Sequence, residues 1–179
     1  MKVYHGSKSK FNQFNYDYLR LNGTSEGIGF YFTDSKKIAE GYAVNGYLYT
    51  VEFCAKKVLE HDKKGITKVQ LKKFLKALDQ KREHLSSYGD IKTEGYQKVL
   101  NKAVEIEYNS SKDDVNMIAG ISNACGSPED CMSVLYEVLG YDSIILDAEW
   151  GISEDGTSQK LYIALVNEAI TIVEVDQID

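Results

Sequence analysis

Two short segments hold the residues best suited to chemistry: Lys2-Val-Tyr-His-Gly-Ser7 and Gly27-Ile-Gly-Phe-Tyr-Phe-Thr-Asp34. Each reads as a strand that carries a polar or aromatic group beside glycine. A strand built this way lets a ligand approach the backbone, because glycine offers no side chain to obstruct it. His5 can exchange a hydrogen bond with a hydroxyl. Tyr31 can stack on a flat ring. The pair suggests a nucleotide site made of backbone, one histidine and one tyrosine. Other chemistries have less support. His5, His61 and His84 are scattered without metal-ligand spacing, so no metal is expected. Cys54, Cys125 and Cys131 are odd in number and form no Cys-x-x-Cys, which indicates neither a disulfide framework nor a zinc site.

The elements that must position these residues follow from periodicity. Residues 2–6 and 29–34 are strands by their β-branched and aromatic content. Between them, Phe11, Phe14, Tyr16, Tyr18 and Leu19 punctuate a polar loop that is expected to pack down and close over something. Asp34 or Ser35 caps a helix with Ile38, Tyr42 and Ala39 inward, ending at Asn45-Gly46. Residues 47–54 form a third strand, with Leu48, Thr50 and Glu52 on one side and Tyr47, Tyr49, Val51 and Phe53 on the other. Helical spacing then runs from Thr67 to about Arg82 through Val69, Leu71, Phe74, Leu75 and Leu78. A second helix covers 93–108, with Val99, Ala103 and Ile106 inward, and a third covers 114–123. Ser127-Pro128 starts a fourth, which Gly140 stops. Residues 143–146, 161–165 and 169–173 are strands. This order of strands, helical block and strands is α+β rather than a βαβ alternation. It predicts one domain with a helical insertion at about 57–126, and a polar, functional loop at 151–160.

Bulk properties limit the partners. The 179 residues suffice for one core. A net charge of −6 argues against a general nucleic-acid binder. The abundance of tyrosine, 13 residues, suits a cleft or interface. No apolar run approaches the roughly 18 residues of a membrane span, and the N-terminus does not read as a signal peptide. The expectation is a cytoplasmic protein with no membrane association. Lys56-Lys57, Lys63-Lys64 and Lys72-Lys73 make the start of the helical block basic. That is either a solvated face or a docking surface for a phosphate-bearing or acidic target. Trp150 is either a packing residue or a target-contact anchor.

The two opening segments resemble motifs of ADP-ribosyltransferases of the diphtheria-toxin and poly(ADP-ribose) polymerase type. Val3-Tyr-His-Gly-Ser7 is similar to the first cleft strand of that family. Gly27–Asp34, followed by Ser35-Lys-Lys-Ile-Ala-Glu-Gly-Tyr42, is similar to its second motif, and the separation of Tyr31 and Tyr42 matches. Tyr49–Phe53 and Leu161–Leu165 fall in the expected order. The likeness covers roughly residues 2–56 and 140–175. Similar small domains occur in phage and bacterial proteins, including inhibitors of bacterial immunity.

The resemblance implies an α+β domain with a split mixed β-sheet and NAD as substrate. It implies a transferase that breaks the nicotinamide–ribose bond and passes ADP-ribose to a macromolecular target, in a phage or bacterial effector. His5 would bond a ribose hydroxyl, and the Gly6 backbone would meet the nicotinamide amide. Tyr31 and Tyr42 would sandwich the nicotinamide ring, with Ser7 and Gly29 flanking these contacts. The family's glutamate, just before the aromatic of the last motif, is replaced by Leu161 before Tyr162. Asp147, then Glu149, then Gln159 are the expected substitutes, and Glu154 and Asp155 lie in the loop beyond. Ala39 stands near the place of the family's helix hydroxyl. These departures favour mono-transfer over polymer synthesis. They also leave open a non-catalytic binding or inhibitor module and a plain NAD glycohydrolase. The helical block and the 151–160 loop would choose the target.

Overall fold

Alternating apolar residues in the opening and closing thirds of the chain build a mixed β-sheet, and helical periodicity in the middle builds its cover. The computed structural model describes residues 1–18, 28–152 and 158–178. The strands are β1 (Lys2–Ser7), β2 (Phe30–Thr33), β3 (Gly46–Phe53), β4 (Val58–Glu60), β5 (Ser143–Ile152), β6 (Ser158–Ala164) and β7 (Ile170–Ile178). Their order is β4-β5-β6-β2-β1-β3-β7. β4 and β5 run parallel, and the other pairs are antiparallel.

The sheet is split. β2 is laddered to β6 from Phe30 to Thr33, and β1 to β3 from Lys2 to Ser7. β1 and β2 share a single register pair, Tyr4 opposite Thr33. One half-sheet is therefore β4-β5-β6-β2 and the other is β1-β3-β7.

The helices are α1 (Lys36–Tyr42), α2 (Lys68–Arg82), α3 (Ile91–Glu94), α4 (Tyr96–Ser110), α5 (Asp114–Cys125) and α6 (Pro128–Leu139). The starts are explained by local chemistry. Ser35 and Ser127 accept bonds from backbone N–H groups in the first turn of α1 and α6. Thr67 and Gln70 form a capping box on α2. Gly126 and Gly140 end α5 and α6 in the left-handed conformation. Leu71, Phe74, Leu75 and Leu78 of α2 join residues of α4, α5 and α6 in one core with Ile144, Leu161 and Ile163 of the sheet. A second core lies on the opposite face and is mostly aromatic: Phe14, Phe30, Phe32, Tyr49, Phe53 and Tyr162.

Several expectations change. Val69 is 67% exposed and Ile106 43%, although the spacing placed both inward. At 100° per residue Val69 lies nearly opposite the Leu71–Leu78 stripe, so the stripe alone meets the core. Gly95, at φ +87°, divides the expected 93–108 helix into α3 and α4. β4 falls inside the segment read as the start of the helical block, and the late strands run longer than their apolar cores suggested.

β4 is placed by a buried acid. Asp142 is 1% exposed. Its carboxylate accepts the N–H groups of Lys56 at 2.8 Å and Lys57 at 3.2 Å and the Ser143 hydroxyl at 2.8 Å. Asp142→Ala removes the charged acceptor of two backbone donors and is expected to cost about 3 kcal/mol. Urea denaturation should show a lower midpoint with an unchanged slope.

Candidate functional site

Residues directly opposed across an antiparallel pair point to the same face, and alternate residues along a strand switch faces. Tyr4 and Thr33 therefore share a face, which also receives Gly6 and Tyr31. His5 and Phe32 share the other. The packing agrees: Tyr31 lies against the helical core, and His5 and Phe32 lie on the aromatic side.

His5 is fixed at the split. Its Nδ1 is 2.8 Å from the carbonyl oxygen of Tyr31. A carbonyl can only accept, so Nδ1 carries the proton. Burial holds the His5 pKa below the ordinary 6.5, although the bond to Tyr31 pulls the other way. The ring is thus neutral near pH 7, and Nε2 is a bare acceptor suited to a hydroxyl donor. Four rings surround it: Phe14 at 5.1 Å, Phe32 at 5.8 Å, and Phe11 and Tyr49 at 6.1 Å.

The described part of the loop after β1, residues 8–18, closes over this histidine, as its aromatic spacing suggested; Leu19 lies outside the described residues. The Phe11 N–H donates to the Tyr49 hydroxyl at 2.6 Å, and that hydroxyl lies 3.3 Å from the Ser9 carbonyl. Phe11 and Tyr49 stack at 4.2 Å. Asn167 donates to the Phe14 carbonyl at 3.1 Å. Tyr49 and Asn167 are residues that sequence reasoning missed in this role. Alternation placed the Tyr49 ring inward, but the partners of its hydroxyl lie 38 and 40 positions away in the chain.

On the other face, α1 lies directly against β1. A Cβ on Gly6 would sit 2.0 Å from the Ala39 carbonyl oxygen and 2.8 Å from the Ala43 nitrogen. The close approach of α1 is therefore sufficient reason for this glycine. Tyr42, at the end of α1, is 63% exposed, although helical spacing placed it inward; Ala39, 1% exposed, takes the inner face. The Tyr42 Cβ lies 2.9 Å from where a Gly6 Cβ would be. Gly29 adopts φ +80°, and a Cβ there would meet Ile163 at 2.5 Å. Ser7 accepts the Ser9 N–H at 3.2 Å.

The structure thus gathers His5, Gly6, Tyr31 and Tyr42 around the split, with His5 and Tyr31 tied through backbone and their rings on opposite faces. Leu161 is 6% exposed in the helical core, opposite Thr33 and Leu146. Asp147 pairs across β5–β6 with Lys160, their charged atoms 3.7 Å apart. It stands three strand spacings from β1, roughly 14 Å. The side chains of Glu149, Trp150 and Gln159, and residues Gly27, Glu154 and Asp155, lie outside the described part. Among the described residues, no helix is long and apolar enough to cross a membrane.

Because His5 is held neutral, the unfolded chain takes up its proton at higher pH than the folded chain. The stability this contributes is present above the unfolded value of 6.5 and is lost as pH falls below it. His84, also lowered by burial, acts in the same direction. Melting temperature should fall between about pH 7.5 and about pH 5.5, and fall less in His5→Asn. An equal fall in the two chains would show that His5 is not the responsible group.

Comparison with known proteins follows this geometry. A family model described as ADP-ribosyltransferase in polyvalent proteins matches residues 1–178. No curated protein matches the chain. A crystal structure of an anti-CRISPR protein is similar at 14% identity and a TM-score of 0.36, with 97% of this chain and 95% of that one covered. With a split α+β sheet, a histidine on its first strand, a tyrosine on its second and a family match from end to end, the chain belongs to the ADP-ribosyltransferases of polyvalent proteins.

Proposed function

We propose that this chain is a mono-ADP-ribosyltransferase that cleaves NAD and transfers ADP-ribose to a protein target. The observation that supports this most directly is the His5–Tyr31 hydrogen bond across the split, in a chain of this family. The residues present suit the substrate. A neutral His5 with a bare Nε2 can accept from a ribose hydroxyl. Tyr31 and Tyr42 offer rings for the nicotinamide.

In this reading the bond between nicotinamide nitrogen and ribose C1′ breaks, and nicotinamide leaves with the electron pair. An acceptor atom of the target then bonds C1′ and gives up its proton. The protein's work is to hold both riboses and favour the developing positive charge. Asp147, Glu149 and Gln159 on the β5–β6 hairpin are the groups proposed to complete that work. The buried Leu161 supplies no charge, which supports single transfer over elongation. We further take the domain to span the whole chain, with the 57–126 block selecting the target. We place its action in a reducing cytoplasm, which the three free cysteines fit, as an effector of phage or bacterial origin.

Leu161 also favours a second reading, a non-catalytic binding module. Labelled NAD incubated with the protein and a lysate separates the two. A labelled protein band supports transfer, and free nicotinamide without a band means hydrolysis. Absence of turnover, together with no rise in melting temperature on adding NAD, sinks both enzymatic readings.

A further inference from the structure

The charges of this acidic chain are segregated. Of its 21 Lys and Arg residues, 14 fall between Lys56 and Lys112, against eight Asp and Glu. From Asp113 to Asp179 there is one Lys and 14 Asp and Glu. α2 and α4 carry much of the basic share, and they lie side by side with a groove of about 320 Å³ between them. Its lining is Lys68, Val69, Lys72, Asn101, Val104 and Glu105. Lys68 is bonded to Glu105 and Lys72 to Asn101, so those two cations already have partners. Lys73 and Lys76 on α2 and Lys98 and Lys102 on α4 are exposed and make no ion pair among the described residues. Val69 stands out of this basic surface, 67% exposed.

An aliphatic knob at one end of a row of uncommitted ammonium groups has a definite complement. We propose that the α2–α4 face docks an acidic protein segment, an amphipathic helix with carboxylates around an aliphatic stripe. The stripe covers Val69 and the groove, and the carboxylates meet Lys73, Lys76, Lys98 and Lys102. Nucleic acid fits less well. The groove lining holds no aromatic ring on which a base could stack, and the ring of Tyr108 beside it already lies under Lys64 and Lys68. It also contains Glu105, and the chain as a whole is negative. If the enzymatic reading holds, this face is where the target is gripped; the docking itself does not depend on that reading.

The test measures binding without NAD, so its result is independent of turnover. The probe is a fluorescein-labelled helical peptide of repeating Glu and Leu. Competitors are the same composition in scrambled order and a DNA duplex of equal charge. The full chain should bind the peptide, and binding should weaken as salt rises. The exposed-surface variants Lys73→Glu/Lys76→Glu and Lys98→Glu/Lys102→Glu should each lose about tenfold in affinity with unchanged melting temperature. Val69→Asp should lose a similar factor. Equal binding by all variants, equal binding of the scrambled peptide, tighter binding of the duplex, or a self-associating chain that excludes the peptide would each overturn the proposal.

Discussion

A His5→Ala chain is expected to lose NAD cleavage by roughly 10²-fold while still unfolding cooperatively, the size of effect seen when one positioned hydrogen-bonding group leaves a site. The imidazole is held firmly. Its Nδ1–H is committed to the Tyr31 carbonyl, and the four rings around it leave one tautomer and one orientation. Alanine removes the Nε2 acceptor and also leaves a space under the loop. His5→Leu separates the two effects, because it fills much of the space and carries no acceptor. If cleavage follows the acceptor, both variants are slow. If it follows packing, leucine recovers most of the rate. Tyr31→Ala should be slow as well, with the loss partly in KM, since stacking is available to bound substrate as well as to the transition state. Wild-type rates in both His5→Ala and Tyr31→Ala would remove the split from the mechanism.

Gly6→Ala should destabilise the fold by about 3–4 kcal/mol, a large effect for one added methyl. The new Cβ would lie 2.0 Å from a backbone oxygen of α1, which cannot rotate away as a side chain can. The helix must lift from β1, exposing Ala39, Ala43 and Leu48. Gly41→Ala gives the opposite sign. Gly41 lies within α1, and an added Cβ meets nothing within 4 Å. That change should stabilise by about 0.5–1 kcal/mol, because glycine is a poor helix residue. Urea midpoints of the two variants therefore bracket the parent. A Gly6→Ala chain as stable as the parent would mean that α1 is not seated on β1.

Much of this architecture is legible in the residue pattern. Alternation in 47–54 assigned the two faces of β3, and serine with proline marked the start of α6. These signals are local, so they survive without knowledge of the fold. The misses depend on partners distant in sequence. β4 has three residues and exists because β5 and the Asp142 carboxylate, more than 80 positions away, hold it. Val69, by contrast, is a local miss: at 100° per residue it lies nearly opposite the core stripe of α2. At the site, His5 and Tyr31 were readable as types. That their contact runs through a carbonyl, with rings on opposite faces, is a matter of strand register, which one pair decides.

That one pair gives the molecule a mechanical character. Two stiff plates, each laddered internally, are coupled at Tyr4 and Thr33, with the His5–Tyr31 bond as a second tie beside it. Changing the angle between the plates disturbs those ties and the aromatic core that both plates share, and leaves both ladders whole. Tyr42 rides with the plate that contains β1, since its helix is seated on Gly6, and Tyr31 belongs to the other plate. The aperture between the two tyrosines is therefore set at a joint.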